Sequence, residues 1–220
     1  MSYILNIETS STNCSVSLSN EGKLIDLIEK DALNYSHSEN LHVFISDLMN
    51  KNKIHFTDLS AVSVSRGPGS YTGLRIGVSA AKGICYGVDI PLISISSLKV
   101  LANNVNFDGY IISTMDARRD EVYSCVFDSK LNVICQEKPE IINNKSFLNY
   151  AEKEKILIIG DGQKKCNDLI DLNTNFNFDI KILKPSAKQM ADLSFEKFRK
   201  NDFEDLAYFE PKYLKEFKSN

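Results

Sequence analysis

The chain has 220 residues, of which 43% are hydrophobic and 25% are charged, and its formal net charge is -3. These are ordinary values for a globular protein, and the length is enough for one large domain or two small lobes with real cores. Because a protein that holds RNA over a wide surface is usually basic, we expect any nucleic-acid contact to be local or made through a partner.

The first half opens with an apolar segment that ends at an acidic residue. Tyr3–Ile7 predicts a strand, Glu8 follows it, and a polar turn covers residues 9–13. Apolar residues then alternate with serines over residues 14–19, which is typical of a strand with one buried face. The next predicted elements are a strand (Lys23–Glu29), a helix capped by Ser36 and Glu39 with apolar residues from Leu41 to Met49, a strand (Ala61–Ser65), a loop (Arg66–Ser70), a helix (Thr72–Tyr86), a strand (Ile90–Ser96) and a helix (Ser97–Ala102).

The second half repeats this order. Tyr110–Met115 is again apolar and ends at an acid, Asp116, before a turn over residues 117–120. An asparagine-rich segment before it favours a turn, so we expect lobes at 1–103 and 104–220, with the terminal segment packing back on the first lobe. The later predicted elements are strands at Glu121–Phe127 and Leu131–Gln136, a helix (Ser146–Glu152), a strand (Ile156–Ile159), a helix (Lys164–Leu172), a strand (Asp179–Leu183) and a helix capped by Ser186 and Gln189 that runs to about Lys200.

Each half therefore follows the order βββαβαβα. Two such halves predict an α/β protein with a duplicated actin/hexokinase/Hsp70-like (RNase H-like) fold. Two unrelated α/β domains are the alternative. The recurrence of an acid at the end of the first strand, at Glu8 and at Asp116, favours duplication.

The first hairpin of each lobe is the place to look for nucleotide chemistry. In this fold class, backbone N–H groups of these hairpins hold phosphates, and glycine lets the backbone approach them closely. The candidate contacts are Glu8, Thr9 and Ser10 in the first hairpin and Arg118 and Arg119 in the second. Because two arginines crowd a backbone cradle, we expect contacts that are vestigial or shared with a partner, and no catalytic residue.

The histidines do not predict a metal site. His37 and His42 lie five residues apart, which turns them about 140° from each other on a helix. Two histidine ligands on one helix face normally stand four apart. No G-x-S-x-G or Cys/His nucleophile pattern is present, and five cysteines without C-x-x-C predict neither a disulfide framework nor a structural zinc site.

Small residues recur along the second predicted helix. Gly73, Gly77 and Ala81 lie four residues apart, and each glycine inside a helix costs about 1 kcal/mol relative to alanine. A face of small residues lets another backbone pack very closely. That backbone belongs either to the chain's own sheet or to the helix of another subunit, and the spacing favours neither.

The segment Arg66–Gly77 is similar to the R-G-P-G-S-[FY]-T-G-[LV]-R-I-G motif of the TsaB (YeaZ) family. Ile4–Ser10, Asp116–Arg118 and Glu210–Leu214 match that family in the same order, so the resemblance covers nearly the whole chain. Many relatives carry Asp in place of Glu8, which weakens any inherited nucleotide chemistry.

The resemblance implies a non-catalytic scaffold that takes part in threonylcarbamoylation of adenosine 37 of tRNA. The implied partners are TsaD, which holds a metal and transfers the group, and TsaE, a small ATPase; tRNA is contacted only indirectly. A homodimer is expected when TsaD is absent. ATP or ADP and metal are expected on the partner subunits and not on this chain alone.

The resemblance also implies a partner surface on the helices His37–Met49 and Thr72–Tyr86. Its predicted residues are Leu41, Phe44, Ile45, Leu48, Met49, Thr72, Gly73, Leu74, Ile76, Gly77, Ala80, Ala81 and Ile84. A small ATP-dependent phosphotransferase on the same fold is the first alternative, and the glycine-poor turn at residues 117–119 argues against it. A metallopeptidase is the second, suggested only by an old family label. Because no run approaches the roughly 18 apolar residues of a membrane helix, we expect a cytoplasmic protein without membrane contact.

Overall fold

The computed structural model describes residues 1–31, 37–103, 105–171 and 175–215. Its contacts divide the chain into two compact units: Met1–Val100 with Pro185–Lys212, and Leu101–Lys184 with the described residues 213–215. The last predicted helix, assigned to the second lobe from sequence, thus groups with the first unit.

The secondary structure consists of two five-stranded sheets with helices. Two 3-10 helices, Phe56–Asp58 and Ala187–Met190, accompany the longer elements. In chain order these are β1 (Tyr3–Glu8), β2 (Asn13–Asn20), β3 (Lys23–Asp31), α1 (His37–Asn52), β4 (Leu59–Gly67), α2 (Tyr71–Val88), β5 (Leu92–Ser96), α3 (Ser97–Ala102), β6 (Tyr110–Asp116), β7 (Glu121–Phe127), β8 (Val133–Ile141), α4 (Leu148–Ala151), β9 (Ile156–Ile159), α5 (Gln163–Leu169), β10 (Phe176–Phe178) and α6 (Ala191–Arg199).

The two sheets have the same internal topology. The first has the order β3-β2-β1-β4-β5 and the second β8-β7-β6-β9-β10. In each, the opening strand pairs antiparallel with the next strand and parallel with the fourth, β1 with β2 and β4, and β6 with β7 and β9. The predicted duplicated α/β fold is confirmed.

Both faces of the first sheet are covered. On one face, apolar residues of β1, β2 and β4 form a core with α1 and α2. On the other, Ile4, Ile93 and their neighbours pack against Met190 and Leu193 from the segment that returns late in the chain. The prediction of a single buried face for β2 is therefore wrong.

The serines of β2 are buried because the returning segment gives them hydrogen-bond partners. The Ser17 hydroxyl donates to the Ala187 carbonyl (2.8 Å), and the Ala187 N–H donates to the Ser15 hydroxyl (3.0 Å). Buried polar groups are tolerated where they are paired in this way. The predicted capping box of Ser186 and Gln189 begins this segment and is confirmed, although its first turn is a 3-10 helix.

The predicted strand over residues 179–183 is wrong. The strand lies earlier, at β10, where it pairs in parallel with β9. Asp179 instead starts a turn, because its carboxylate accepts from the Lys181 N–H (2.9 Å) and its carbonyl accepts from the Ile182 N–H (3.2 Å). Two predicted helix ends, the Ser36 cap and Leu172, lie outside the described residues.

Among the described residues, no helix combines the length and apolar character needed to cross a membrane.

Candidate functional site: a helical groove and two strand-end acids

The glycines that prompted an interface prediction face the interior of the chain. A Cβ added at Gly73 would lie 2.2 Å from the Thr9 carbonyl oxygen, and one at Gly77 would lie 2.3 Å from Thr9 Oγ1. The Thr9 hydroxyl also donates to the Gly73 carbonyl (2.8 Å). The spacing was a correct signal of close backbone approach, but the neighbour is the loop after β1 and not another protein.

Most of the predicted partner surface is in the core of the first unit. The apolar face of α1 packs on the sheet, as the amphipathic pattern of a surface helix requires. The predicted interface residues that are buried within the chain are Leu41, Ile45, Leu48, Met49, Gly73, Leu74, Gly77, Ala80 and Ala81. Thr72 is exposed and Phe44 is half-buried, and their interface role stays a prediction.

The outward side of α2 borders an open groove of about 730 Å³. Ser79, Gly83 and Gly87 lie along it four residues apart, and a Cβ at either glycine would meet no atom within 4 Å. Gly83 follows Gly77 by six residues, or about 240° around the helix axis, so the two stripes lie on different faces. We call this feature the α1–α2 groove.

The rest of the groove is largely apolar. Ile76, Ala80, Ile84 and Val88 of α2 line it together with Phe56. Its polar lining comes from Ser38 and His42 of α1 and from Arg75. Ile76, Ala80 and Ile84 are thus the predicted interface residues that lie in the groove. The stripe of Ser79, Gly83 and Gly87 was missed, although its four-residue spacing is visible in the sequence.

The first strand-end acid is enclosed. Glu8 is fully buried, and its Oε1 accepts from the Ser10 N–H (2.6 Å) and the Ser65 hydroxyl (3.0 Å). Burial raises the pKa of the Glu8 carboxyl, against the opposing effect of these hydrogen bonds. The Ser70 N–H donates to the Ser10 carbonyl (2.7 Å), so the loop after β4 covers this hairpin. Glu8, Thr9 and Ser10 are therefore all buried.

The second strand-end acid is exposed. The Asp116 carboxylate forms an ion pair with Lys165 (2.9 Å) and accepts from the Arg118 N–H (2.6 Å). The Asp116 N–H donates to Asp161 Oδ1 (2.8 Å), and burial raises the pKa of the Asp161 carboxyl. Arg118 and Arg119 are exposed on the turn. A nucleotide contact by either hairpin stays a prediction.

The histidines lie in different surroundings. His37 is buried with its Nε2 2.8 Å from the Ser11 carbonyl oxygen, and burial lowers the pKa of its imidazole. His42 is exposed in the α1–α2 groove. Within the described part of the chain, no three His, Cys, Asp or Glu side chains are grouped so that they would hold a metal ion.

The chain is similar to a family model and to proteins of known name. The model of the family described as TsaD, tRNA N6-adenosine threonylcarbamoyltransferase, matches residues 32–219. The tRNA threonylcarbamoyladenosine biosynthesis protein TsaB of Escherichia coli (strain K12) is 28% identical, over 96% of this chain and 94% of that protein. The TsaB protein of Bacillus subtilis (strain 168) is 37% identical, over 62% of this chain and 60% of that one. The chain belongs to the TsaB (YeaZ) family.

The structural comparison gives the same fold. YeaZ from Pseudomonas aeruginosa superposes with a TM-score of 0.80 at 22% identity, over 97% of this chain and all of that one (100%). The resemblance predicted from Arg66–Gly77 is thereby confirmed. In this TsaB-family chain the motif runs from the end of β4, over Ser10, into the inner face of α2, so packing within the chain explains its glycines.

Proposed function

We propose that this chain is a non-catalytic subunit in the formation of threonylcarbamoyladenosine in tRNA, and that it binds TsaD through the α1–α2 groove. The pathway follows from the names of its TsaB relatives. The partner is chosen because the family model that matches this chain is that of the transferase itself. Two related proteins can pair in the manner of the subunits of a symmetric dimer.

The observation that carries the proposal is the outward stripe of Ser79, Gly83 and Gly87. Glycines inside a helix cost about 1 kcal/mol each relative to alanine, and no contact with the described residues requires these two. Their absence of side chains leaves room for the backbone of a second helix. The apolar lining contributed by Ile76, Ile84 and Val88 supplies the surface that such a helix would bury.

The non-catalytic role is supported by the state of the two hairpins. Glu8 is enclosed, so it cannot reach a substrate without movement of the loop after β4. On the second turn, the Ala117 N–H donates to the Glu121 carbonyl, and the Arg118 N–H donates to the Asp116 carboxylate. We therefore assign ATP or ADP and metal to the partner subunits, and TsaE to the assembled pair. A second copy of this chain is proposed to occupy the groove when TsaD is absent.

The test introduces a side chain into the groove. Gly83→Leu and Gly87→Leu are each expected to weaken binding to TsaD at least about 100-fold, because an interface core does not tolerate a misplaced large side chain. Size-exclusion chromatography of co-expressed proteins and titration by calorimetry measure the effect. Asn50→Leu, on an exposed α1 position outside the groove, is the matched control.

Two results would contradict the proposal. Folded Gly83→Leu and Gly87→Leu variants that bind TsaD as tightly as the unmodified chain would exclude the groove as the binding site. Turnover of Mg-ATP by the chain alone would exclude a purely non-catalytic role and favour a phosphotransferase.

A further inference from the structure

The turn between β6 and β7 holds two arginines in an unusual backbone conformation. Arg118 has a φ of 67° and Arg119 a φ of 49°, in the left-handed region that glycine and asparagine adopt at lower cost. Both side chains are exposed. Non-glycine residues with a positive φ often lie at functional sites, and six others among the described residues, including Glu21 and Lys53, share this conformation.

The nearby acids are already paired with other cations. Asp116 forms its ion pair with Lys165 (2.9 Å), and Glu121 forms one with Lys215. Asp120, the remaining acid of the turn, is exposed and pairs with neither arginine. Among the described residues, the guanidinium groups of Arg118 and Arg119 therefore have no carboxylate partner.

A third cation, Lys215, lies beside the two arginines, and its charge is balanced by the Glu121 carboxylate. Lys215 donates from Nζ to the Ala117 carbonyl (3.1 Å) and lies 5.8 Å from the ring centre of Tyr123. The pKa of Lys215 is lowered by burial and then by the charges of Arg119 and Arg118. The three cations therefore act on one another and gain from a shared anion.

Three backbone N–H groups of this turn already have acceptors within it. The N–H groups of Ala117, Arg118 and Glu121 are used within the turn, by the Glu121 carbonyl, the Asp116 carboxylate and the Arg118 carbonyl. A nucleotide cradle of this fold class needs such N–H groups free. Exposed guanidinium groups instead bind successive phosphates of a nucleic-acid backbone, where most protein contacts position the strand without reading its sequence.

We propose that the β6–β7 turn, through Arg118 and Arg119 with Lys215 beside them, binds the phosphodiester backbone of the substrate tRNA. The choice of tRNA rests on the proposed function. A contact of this size is compatible with a net charge of -3, since it needs only a local positive surface. It replaces the expectation that tRNA is contacted only through a partner.

The experiment measures binding of a fluorescently labelled, unmodified tRNA transcript to the complex with TsaD, at several salt concentrations. The test variant is Arg118→Gly with Arg119→Gly, because glycine suits a positive φ and keeps the turn folded. We expect the affinity to fall at least about tenfold at low salt. We also expect the slope of log K against log salt to decrease by about 1 for each arginine. We expect the melting temperature of the double variant not to be lowered, because glycine adopts a positive φ without strain.

The matched control is Lys153→Ala with Lys155→Ala, which removes two exposed charges beyond the opposite end of β6. Unchanged tRNA affinity in the arginine variant, or an equal loss in the control, would overturn the proposal. So would loss of Mg-ATP binding with tRNA binding intact, which would make the turn a nucleotide site. Size-exclusion chromatography reports separately whether the complex forms; if it does not, the proposed function fails and tRNA binding is compared on the chain alone.

Discussion

The two stripes of small residues on α2 share one spacing but lie in opposite surroundings. On the inner stripe, an added Cβ at Gly73 or Gly77 would collide with Thr9, whereas on the outer stripe one at Gly83 or Gly87 would meet nothing within 4 Å. Glycine is thus required inside for the fold of the chain itself. On the outer face, glycine makes no contact that the described part of the chain requires. This difference makes the outer face the candidate docking surface.

The largest expected effect comes from adding a methyl group on the inner face. Gly73→Ala places it 2.2 Å from a backbone oxygen, so we expect a loss of about 3 kcal/mol in the free energy of unfolding, the upper range for overpacking. Gly77→Ala collides with the Thr9 side chain instead, and we expect a loss of about 2 kcal/mol. Urea unfolding followed by circular dichroism measures both.

A second substitution makes this prediction specific to Thr9. Thr9→Ala removes the Oγ1 atom that Gly77→Ala would strike, so it should recover most of the loss caused by Gly77→Ala. It should not rescue Gly73→Ala, whose neighbour is the backbone oxygen of Thr9. Equal rescue of the two, or stability unaffected by either alanine, would show that the inner stripe is not closely packed.

An intermediate effect is expected at Glu8, which lies directly before Thr9 beneath the inner face. Because burial raises the pKa of this carboxyl, the folded chain binds a proton more tightly than the unfolded chain does. Stability should therefore fall as the pH rises from the ordinary glutamate pKa through the raised one, and then stay constant.

Glu8→Gln is expected to remove the pH dependence of stability that the Glu8 carboxyl causes. It should leave stability nearly unchanged in acid and raise it by about 2 kcal/mol at neutral pH, the order of the penalty for an uncompensated buried polar group. Unfolding curves between pH 4 and pH 8 measure the difference, with Glu154→Gln, at an exposed position, as the control. Parallel pH profiles for Glu8→Gln and the unmodified chain would show that the site is hydrated.

The smallest effect is expected on the outer face. Gly83→Ala and Gly87→Ala should each raise the free energy of unfolding by about 1 kcal/mol, because alanine favours helix and the added methyl meets no atom. Thermal unfolding of the chain alone measures the gain. A loss of stability at either position would mean that the outer stripe is also packed within the chain and would remove the contrast.

The sequence was sufficient for the fold because its signals are local and repeated. The acid-ended strands at Glu8 and Asp116 and the order of elements around them predicted two equivalent sheets, and both are present. Strand β10 was misplaced, since the two isoleucines among residues 179–183 suggested a strand where the Asp179 side chain forms a turn.

The site was only partly predictable, because periodicity identifies a face of an element and not what covers it. From the alternation in β2, Ser17 is predicted to face solvent. In the structure it is buried, because its hydroxyl donates to the Ala187 carbonyl, 170 positions later in the chain. Gly73 is likewise explained by Thr9, 64 positions earlier. Arg118 and Arg119 were selected by their place in the second hairpin, and only the backbone dihedrals show that both have a positive φ.

The return of Pro185–Lys212 to the first unit has a consequence for the chain as it is synthesised. A nascent polypeptide that has left the ribosome only as far as Val100 has made every strand of the first sheet but not the segment that covers its serine-bearing face. Ser15 and Ser17 then lack the partners that Ala187 provides, so this unit reaches its final form only after Pro185–Lys212 has emerged. Emergence of this returning segment, and not of the first hundred residues, therefore sets the earliest moment at which a complete first unit exists.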